Sequence, residues 1–223
     1  MILVKPSHEI LTQINGKEIL KKIEAAGRTC YKSETLITED SAIEFVGKIL
    51  ARGHHSVIEH ENISVRIICD RGVTHEIVRH RLAAYSQEST RYCNYKGGVA
   101  FVIPPWVALD PGEYWETGYP PNIKVMDLGA SRCWFEAMAA ASIYYTRLVT
   151  DQGWSPQQAR SVLPNSLKTE IVMTANLREW RHVFHLRCAK AAHPQMREVM
   201  LPLLEEFRAR LPYLFDKDEY LPF

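Results

Sequence analysis

The chain has 223 residues, with 27 Lys+Arg against 26 Asp+Glu and a formal net charge of +1, which excludes a general electrostatic grip on a nucleic-acid backbone or an acidic membrane. Hydrophobic residues make up 46% and charged residues 24%, the balance of a folded globular chain and not of a disordered, collagen-like or low-complexity one. The length suits one sizeable domain over 1–223.

The opening apolar run stops at Lys5 and Pro6, too short for the core of a signal peptide, so no cleaved leader is expected. No stretch approaches the roughly 18 uninterrupted apolar residues of a spanning helix. Cys30, Cys69, Cys93, Cys133 and Cys188 are odd in number and widely spaced, with no CxxC pair; reduced thiols in the cytoplasm are the expectation. Lys17–Ala26 places Ile19, Leu20 and Ile23 on one face and predicts a helix, with Gly27 at its C-terminal cap. Asp40 is placed to cap a second helix, carrying Ile43, Val46, Ile49 and Leu50 and ending at Gly53. The period then changes to two over Asn62–Ile67, which predicts a half-buried strand.

Val73–Arg81 reads as a short helix with His75, Glu76, Arg79 and His80 on it, and Val99–Ile103 as a short strand stopped by Pro104-Pro105. About 104–126, rich in proline and glycine and carrying Trp106, Tyr114 and Trp115, reads as a surface excursion or lid. Asp127–Gln152 predicts a long alanine-rich helix, too apolar over 137–143 to be solvated all round, serving as a buried spine or a subunit contact. Ser155-Pro156 opens a short helix to Val162, Leu167–Met173 alternates as a strand, and helices follow over Leu177–Ala191 and Gln195–Arg210. Strands and helices mix without a βαβ rhythm, so the fold class is α+β, a mixed sheet with packed helices.

The densest chemistry runs from Arg79-His80-Arg81 through Gln87, Ser89 and Arg91. Arginine offers a planar fork of donors matched to phosphate oxygens and uracil-like carbonyls, which suits a nucleotide, although a solvated helix with ion pairs explains the same composition. A second basic cluster comprises Arg160, Lys168, Arg178, Arg181, Arg187 and Lys190. On a helix, Arg178, Arg181, His182 and His185 share one side, while Arg187 points about 180° from Arg178; one helix would serve two sites, or be merely amphipathic. The histidines of Gly53–Glu61 (His54, His55, His60) lack the HExxH spacing, so stacking or core roles are expected and no metal. Ser89 has no GxSxG turn and reads as a hydrogen-bond donor. A non-catalytic nucleotide- or RNA-binding module, or a metal-dependent hydrolase using those histidines, are the competing readings.

Arg79-His80-Arg81, seven residues, then Ser89, with Arg91-Tyr92 after it, resembles the signature of the flavin-dependent thymidylate synthases. Gly53-His54 and Glu59-His60 upstream, and Ala159–Pro164, Asn176-Leu177-Arg178 and Leu186-Arg187 downstream, agree in order over about residues 20–200. The resemblance implies conversion of dUMP to dTMP, with methylenetetrahydrofolate giving the carbon and NADPH-reduced FAD the hydride, in a homotetramer. By position it implies that Ser56, Arg79, His80, Arg81, Gln87, Asn176, Arg178 and His182 contact FAD, with His54 near the flavin and folate. Glu76, Arg79, Gln87, Ser89, Arg91, Arg160 and Arg187 would contact dUMP, with Arg187 as the catalytic electrophile. Two positions depart from the family pattern: Gln87 stands where many members have glutamate, and His182 where some have asparagine. The physics of Arg187 stands apart from the resemblance. C5 of uracil becomes nucleophilic when negative charge around N3 and its flanking carbonyls is stabilised, and a fixed guanidinium shielded from water does that.

Overall fold

A computed structural model describes residues 1–114 and 129–215. The part of the excursion from 115 to 126, including Trp115, lies outside the described residues. The elements are β1 (Ile2–Val4), β2 (Ser7–Ile10), α1 (Gly16–Tyr31), α2 (Ser41–Ala51), β3 (Asn62–Asp70), α3 (Arg71–Ile77), β4 (Ala83–Gln87), β5 (Ala100–Val102), β6 (Gly112–Glu113), α4 (Ala130–Thr150), α5 (Pro156–Ala159), β7 (Lys168–Asn176), α6 (Leu177–Arg187), α7 (Pro194–Arg210) and α8 (Pro212–Phe215). The class is α+β, as expected. Contacts divide the chain into two compact units: Met1–Ser7 with Ile67–Arg79 and Ser86–Ile171, and His8–Arg66 with His80–Tyr85 and Val172–Phe223. The division runs through β3, β4 and β7.

In the first unit β1 is the centre of a three-stranded sheet, parallel to β5 with Leu3 opposite Phe101, and antiparallel to β6 with Leu3 opposite Gly112. The short N-terminal apolar run is therefore a core strand. The described part of the excursion is tied to it: Tyr114 N–H donates to the Met1 carbonyl at 2.9 Å, and the Met1 ammonium donates to the Tyr114 carbonyl at 3.0 Å. Trp106 is exposed, but Val107 and Leu109 are buried, so 104–114 is part of the fold and not a free surface loop. α4 presents Phe135, Met138, Ala139, Ser142 and Tyr145 to this core, together with Leu3, Phe101 and Ile103. One face of the alanine-rich stretch is thus buried, each large side chain on it contributing about 1.5–3 kcal/mol, while Ala137 and Tyr144 are exposed. Tyr145 is fully buried, and its phenol oxygen accepts from Tyr95 N–H at 3.3 Å, which keeps the polar atom satisfied.

In the second unit, α6 packs through Leu177, Trp180, Val183 and Phe184, one helical stripe that is fully buried. Trp180 donates its indole N–H to the Ile63 carbonyl at 3.0 Å, and Trp180, Phe184, Phe207 and Phe215 form a ring cluster with centroids 5.1–5.8 Å apart. This clamp fixes the rotation of α6 about its own axis and so decides which way its polar residues face. The sheet to which β3 belongs has the order β2-β3-β7-β4.

Several expected boundaries move. The helix expected over Val73–Arg81 is Arg71–Ile77, started by Asp70, whose carboxylate accepts from Val73 N–H at 2.8 Å. Arg79, His80 and Arg81 consequently lie beyond the helix, in the short link to β4 (not expected from the sequence). β3 runs on to Asp70 and β7 to Asn176, while α6 stops at Arg187, short of Ala191.

Gly27 is not a cap. α1 continues through it to Tyr31 and ends at Lys32, which adopts the left-handed conformation at φ 48°. A Cβ on Gly27 would lie 2.7 Å from Phe45 Cε1 and 3.3 Å from Ile49 Cδ1, so glycine there permits close approach of α2. In an open helix, Gly27→Ala would stabilise by about 0.5–1 kcal/mol; here overpacking of about 1–3 kcal/mol opposes it. The expected result is a lower urea midpoint for Gly27→Ala, partly recovered by adding Phe45→Leu.

Candidate functional site

The second unit gathers polar side chains around one buried imidazole. His80 is 4% exposed. Its Nδ1 lies 3.1 Å from Glu179 Oε1, and Arg187 donates its Nε–H to His80 Nε2 at 3.0 Å. Guanidinium cannot accept a hydrogen bond, so Nε2 must carry the lone pair, and the neutral ring keeps its proton on Nδ1, pointed at the carboxylate. The backbone is fixed too: Tyr85 donates its hydroxyl to the His80 carbonyl at 2.7 Å. The His182 ring meets the His80 ring edge-on, with centroids 5.6 Å apart.

Burial, then the charge of Arg187 and of His182, pushes the His80 pKa down to about 4. Burial raises that of Glu179, against the opposing effect of His182. Tyr85 is pushed up to about 12, first by burial and then by Glu179, with Arg187 opposing. His80, Glu179 and His182 place ligand atoms within 4.8 Å of one another, the trio with metal-like density among the described residues, and His54, His55 and His60 are not in it. A cation there would have to displace one of the two ring hydrogen bonds of His80, that with Glu179 or that with Arg187.

α6 gives its polar residues different partners. Asn176 caps it, its side-chain oxygen accepting from Glu179 N–H at 2.9 Å. Arg178 pairs with Glu59 at 2.6 Å. Arg178 thus has its partner in Glu59, while His182 and Arg187 both meet His80. A cavity of about 280 Å³ lies at the beginning of α6, lined by Cys30, Tyr31, Gly53, His54, His55, Ser56 and Arg178 among others. Tyr31 OH and His54 Nδ1 are 3.2 Å apart. Gly53, at φ 78°, has open space where a Cβ would stand. Imidazoles, a phenol, a serine hydroxyl and a guanidinium around a glycine opening fit a flat heterocycle carrying phosphate, and the volume suits one ring system of such a cofactor.

The first unit holds the residues expected to contact a nucleotide: Glu76, Arg79, Gln87, Ser89, Arg91 and Arg160. Arg79, Arg91 and Arg160 are exposed, as is Arg81 of the second unit. Arg160 donates to Thr90 Oγ1 at 3.2 Å. Ser89 Oγ accepts from Arg91 N–H at 3.3 Å, a turn that leaves its own hydroxyl proton to donate. Gln87 sends its amide N–H₂ to Thr74 Oγ1 at 3.0 Å and Thr169 Oγ1 at 3.3 Å, and neither bond uses its carbonyl oxygen. Its neighbour Glu88 is held by Tyr95 OH at 2.6 Å and Lys168 at 3.2 Å. Burial alone would lower the Lys168 pKa, but the hydrogen bond to Glu170 and the charge of Glu88 outweigh it and raise it.

Sequence reasoning missed Glu179, Tyr85 and Tyr31. Glu179 carried a signal: it stands three residues after the cap Asn176, where a capping-box glutamate would reach back to the cap N–H, yet its side chain turns to His80 instead.

The groups facing His80 are Glu179, His182, Arg187 and Tyr85. With the folded value near 4 against 6.5 for an ordinary histidine, the unfolded chain binds a proton between those values that the folded chain does not. That part of the stability is present above pH 6.5 and is lost as pH falls toward 4. Urea midpoints at pH 7, 5.5 and 4.5 should therefore fall more steeply in the wild type than in His80→Gln; parallel slopes would contradict a buried neutral ring.

Comparison with known proteins places this arrangement. The family model described as thymidylate synthase complementing protein matches residues 11–213. The flavin-dependent thymidylate synthase of Pyrococcus furiosus is 34% identical over 175 residues, 78% of this chain and 66% of that one, just under two thirds of its length. The synthase of the same name from Geobacter sulfurreducens is 31% identical over 85% of this chain and 78% of its own length, and that of Mycolicibacterium gilvum 32% identical over 96% and 84%. Among solved structures, a UMP/dUMP methylase, PolB from Streptomyces cacaoi bound with 5-Br dUMP, shares the fold at a TM-score of 0.75 with 21% identity, over 97% of this chain and 96% of that one. The chain belongs to the thymidylate synthase complementing protein family, whose curated relatives here are the flavin-dependent thymidylate synthases.

Proposed function

We propose that the protein is an FAD-dependent thymidylate synthase that converts dUMP to dTMP, taking its carbon from methylenetetrahydrofolate and its reducing equivalents from NADPH. The observation that carries this reading is the guanidinium of Arg187, oriented by a buried neutral histidine. Arg187 stabilises negative charge on the uracil ring, which makes C5 nucleophilic without a covalent enzyme bond. His54, Ser56, Arg178 and Asn176, with His80, Arg81 and His182, hold the flavin, joined by Arg79 and Gln87. When bound and reduced, FAD supplies the hydride that completes the methyl group. Arg91, Arg160 and Ser89 take the nucleotide phosphate, and Glu76, Arg79 and Gln87 its sugar and base. The Gln87 carbonyl, which the bonds to Thr74 and Thr169 do not use, supports an accepting role for that residue. The assembly is a homotetramer, and the five unpaired cysteines fit a reducing cytoplasm.

Tritium release from C5-labelled dUMP tests the reaction. Release that requires FAD, NADPH and methylenetetrahydrofolate together is the expected result, whereas flavin reduction without release would refute the methyl transfer. Arg187→Ala should keep the fold and bound flavin and lose about 10²–10³-fold or more in turnover; normal turnover would remove Arg187 from its role.

A further inference from the structure

Arg187 is held through His80, and His80 is held through Glu179. This ordering makes Glu179 more than a buried charge. Its Oε1 lies 3.1 Å from His80 Nδ1, its side chain is 7% exposed, and the imidazole is 3% exposed. The opposite ring nitrogen accepts from Arg187 Nε at 3.0 Å. Neutral imidazole has one N–H and one lone pair. If the proton moved to Nε2, Arg187 would face a second donor where it now meets an acceptor, and Glu179 would face a lone pair. Two such mismatches, buried together, cost more than the tautomer preference of a free imidazole, so the carboxylate and the guanidinium together select which nitrogen carries the proton, and loss of the carboxylate removes one of the two constraints.

Glu179 reaches this place by local geometry. It is the third residue of α6 after the cap Asn176, and its own N–H is bonded to the Asn176 side chain at 2.9 Å. Trp180, beside it, is clamped by its indole bond to Ile63. The carboxylate therefore sits on a rotationally fixed helix, at the end where negative charge is favoured.

We infer that Glu179 is a positioning residue for catalysis: it accepts the Nδ1 proton of His80, fixes the tautomer whose Nε2 accepts from Arg187, and so sets the plane in which the guanidinium is presented. The inference rests on the activity proposed above only for its kinetic readout. No proton is transferred in this role, and the His80 ring stays neutral throughout. His182, edge-on to the ring, and Tyr85, on its backbone carbonyl, restrain His80 without choosing its tautomer.

The test has a structural and a kinetic arm. Long-range ¹H–¹⁵N spectra of ¹⁵N-histidine-labelled enzyme, with the His80 signals assigned through His80→Gln, should show protonated Nδ1 and unprotonated Nε2 in the wild type. In Glu179→Ala the ring should shift toward the other tautomer, with kcat reduced about 10–100-fold and the KM for dUMP changed less than the kcat. Glu179→Gln retains an acceptor oxygen for Nδ1–H and should restore both the spectrum and most of the kcat. If the alanine variant fails to fold, Glu179→Asp, which keeps the charge at the helix start but shortens its reach, takes its place. An unprotonated Nδ1 in the wild type overturns the inference. So does an unchanged tautomer in the alanine or aspartate variant, or an equal loss of kcat in the glutamine and alanine variants. If the wild type releases no tritium from dUMP, the proposed reaction fails, and the spectra alone still decide whether Glu179 sets the His80 tautomer.

Discussion

The buried imidazole of His80 is the constraint on which the second unit's chemistry depends. A histidine with almost no exposure must have both ring nitrogens satisfied, and only one arrangement satisfies a carboxylate on one side and a guanidinium on the other. The ring stays neutral because burial first, and then the neighbouring Arg187 guanidinium, oppose its protonation. Charge is balanced across it instead, Glu179 negative on one edge and Arg187 positive on the other. A long, flexible arginine is thereby converted into an oriented fork, and the entropy of holding it is met by the fold before any ligand arrives.

That orientation is possible because α6 cannot rotate. The apolar stripe Leu177, Trp180, Val183 and Phe184 locks into the aromatic cluster with Phe207 and Phe215. With the stripe fixed, Arg178 is directed to Glu59 and the 280 Å³ cavity, while His182 and Arg187 are directed to His80. One helix thus carries both groups expected near a flavin and the arginine expected at the uracil. The groups expected at the phosphate and sugar of a nucleotide fall in the other compact unit. The family motif spans this division: Arg79 ends a segment of the first unit, His80 and Arg81 begin one of the second, and Ser89 returns to the first.

The sequence made the motif legible because its residues are close along the chain and chemically unusual together. Long periodic segments such as α4, β7 and α7 were legible for the same reason: their burial repeats at the helix or strand period. What escaped it depends on partners distant in sequence. Glu179 and His80 are 99 positions apart, and nothing local tells a capping-box glutamate from one that reaches across to an imidazole. Gly27 read as a helix end because glycine usually ends helices, whereas its real constraint is the Phe45 ring of another helix. β1, β4 and β6, of three, five and two residues, are too short to show a period, and they exist because neighbouring strands supply their hydrogen bonds.

The cysteines bear on the mechanism from a different direction. A thymidylate-forming enzyme that attacks uracil through a thiolate needs a cysteine that ionises and is held against the base. Cys69 and Cys188 are buried, and burial raises both thiols, that of Cys188 to about 12, so neither supplies a thiolate near neutral pH. Cys133 is exposed on α4, Cys30 borders the cavity beside Tyr31 and His54, among the groups proposed for the flavin, and Cys93 is half-buried with its backbone N–H bonded to the Ser89 carbonyl at 2.9 Å. Arg187 is charged, and its Nε–H is held by a buried ring. Activation of the base by charge stabilisation is the proposed chemistry, and the Glu179–His80–Arg187 chain is the device inferred to direct it.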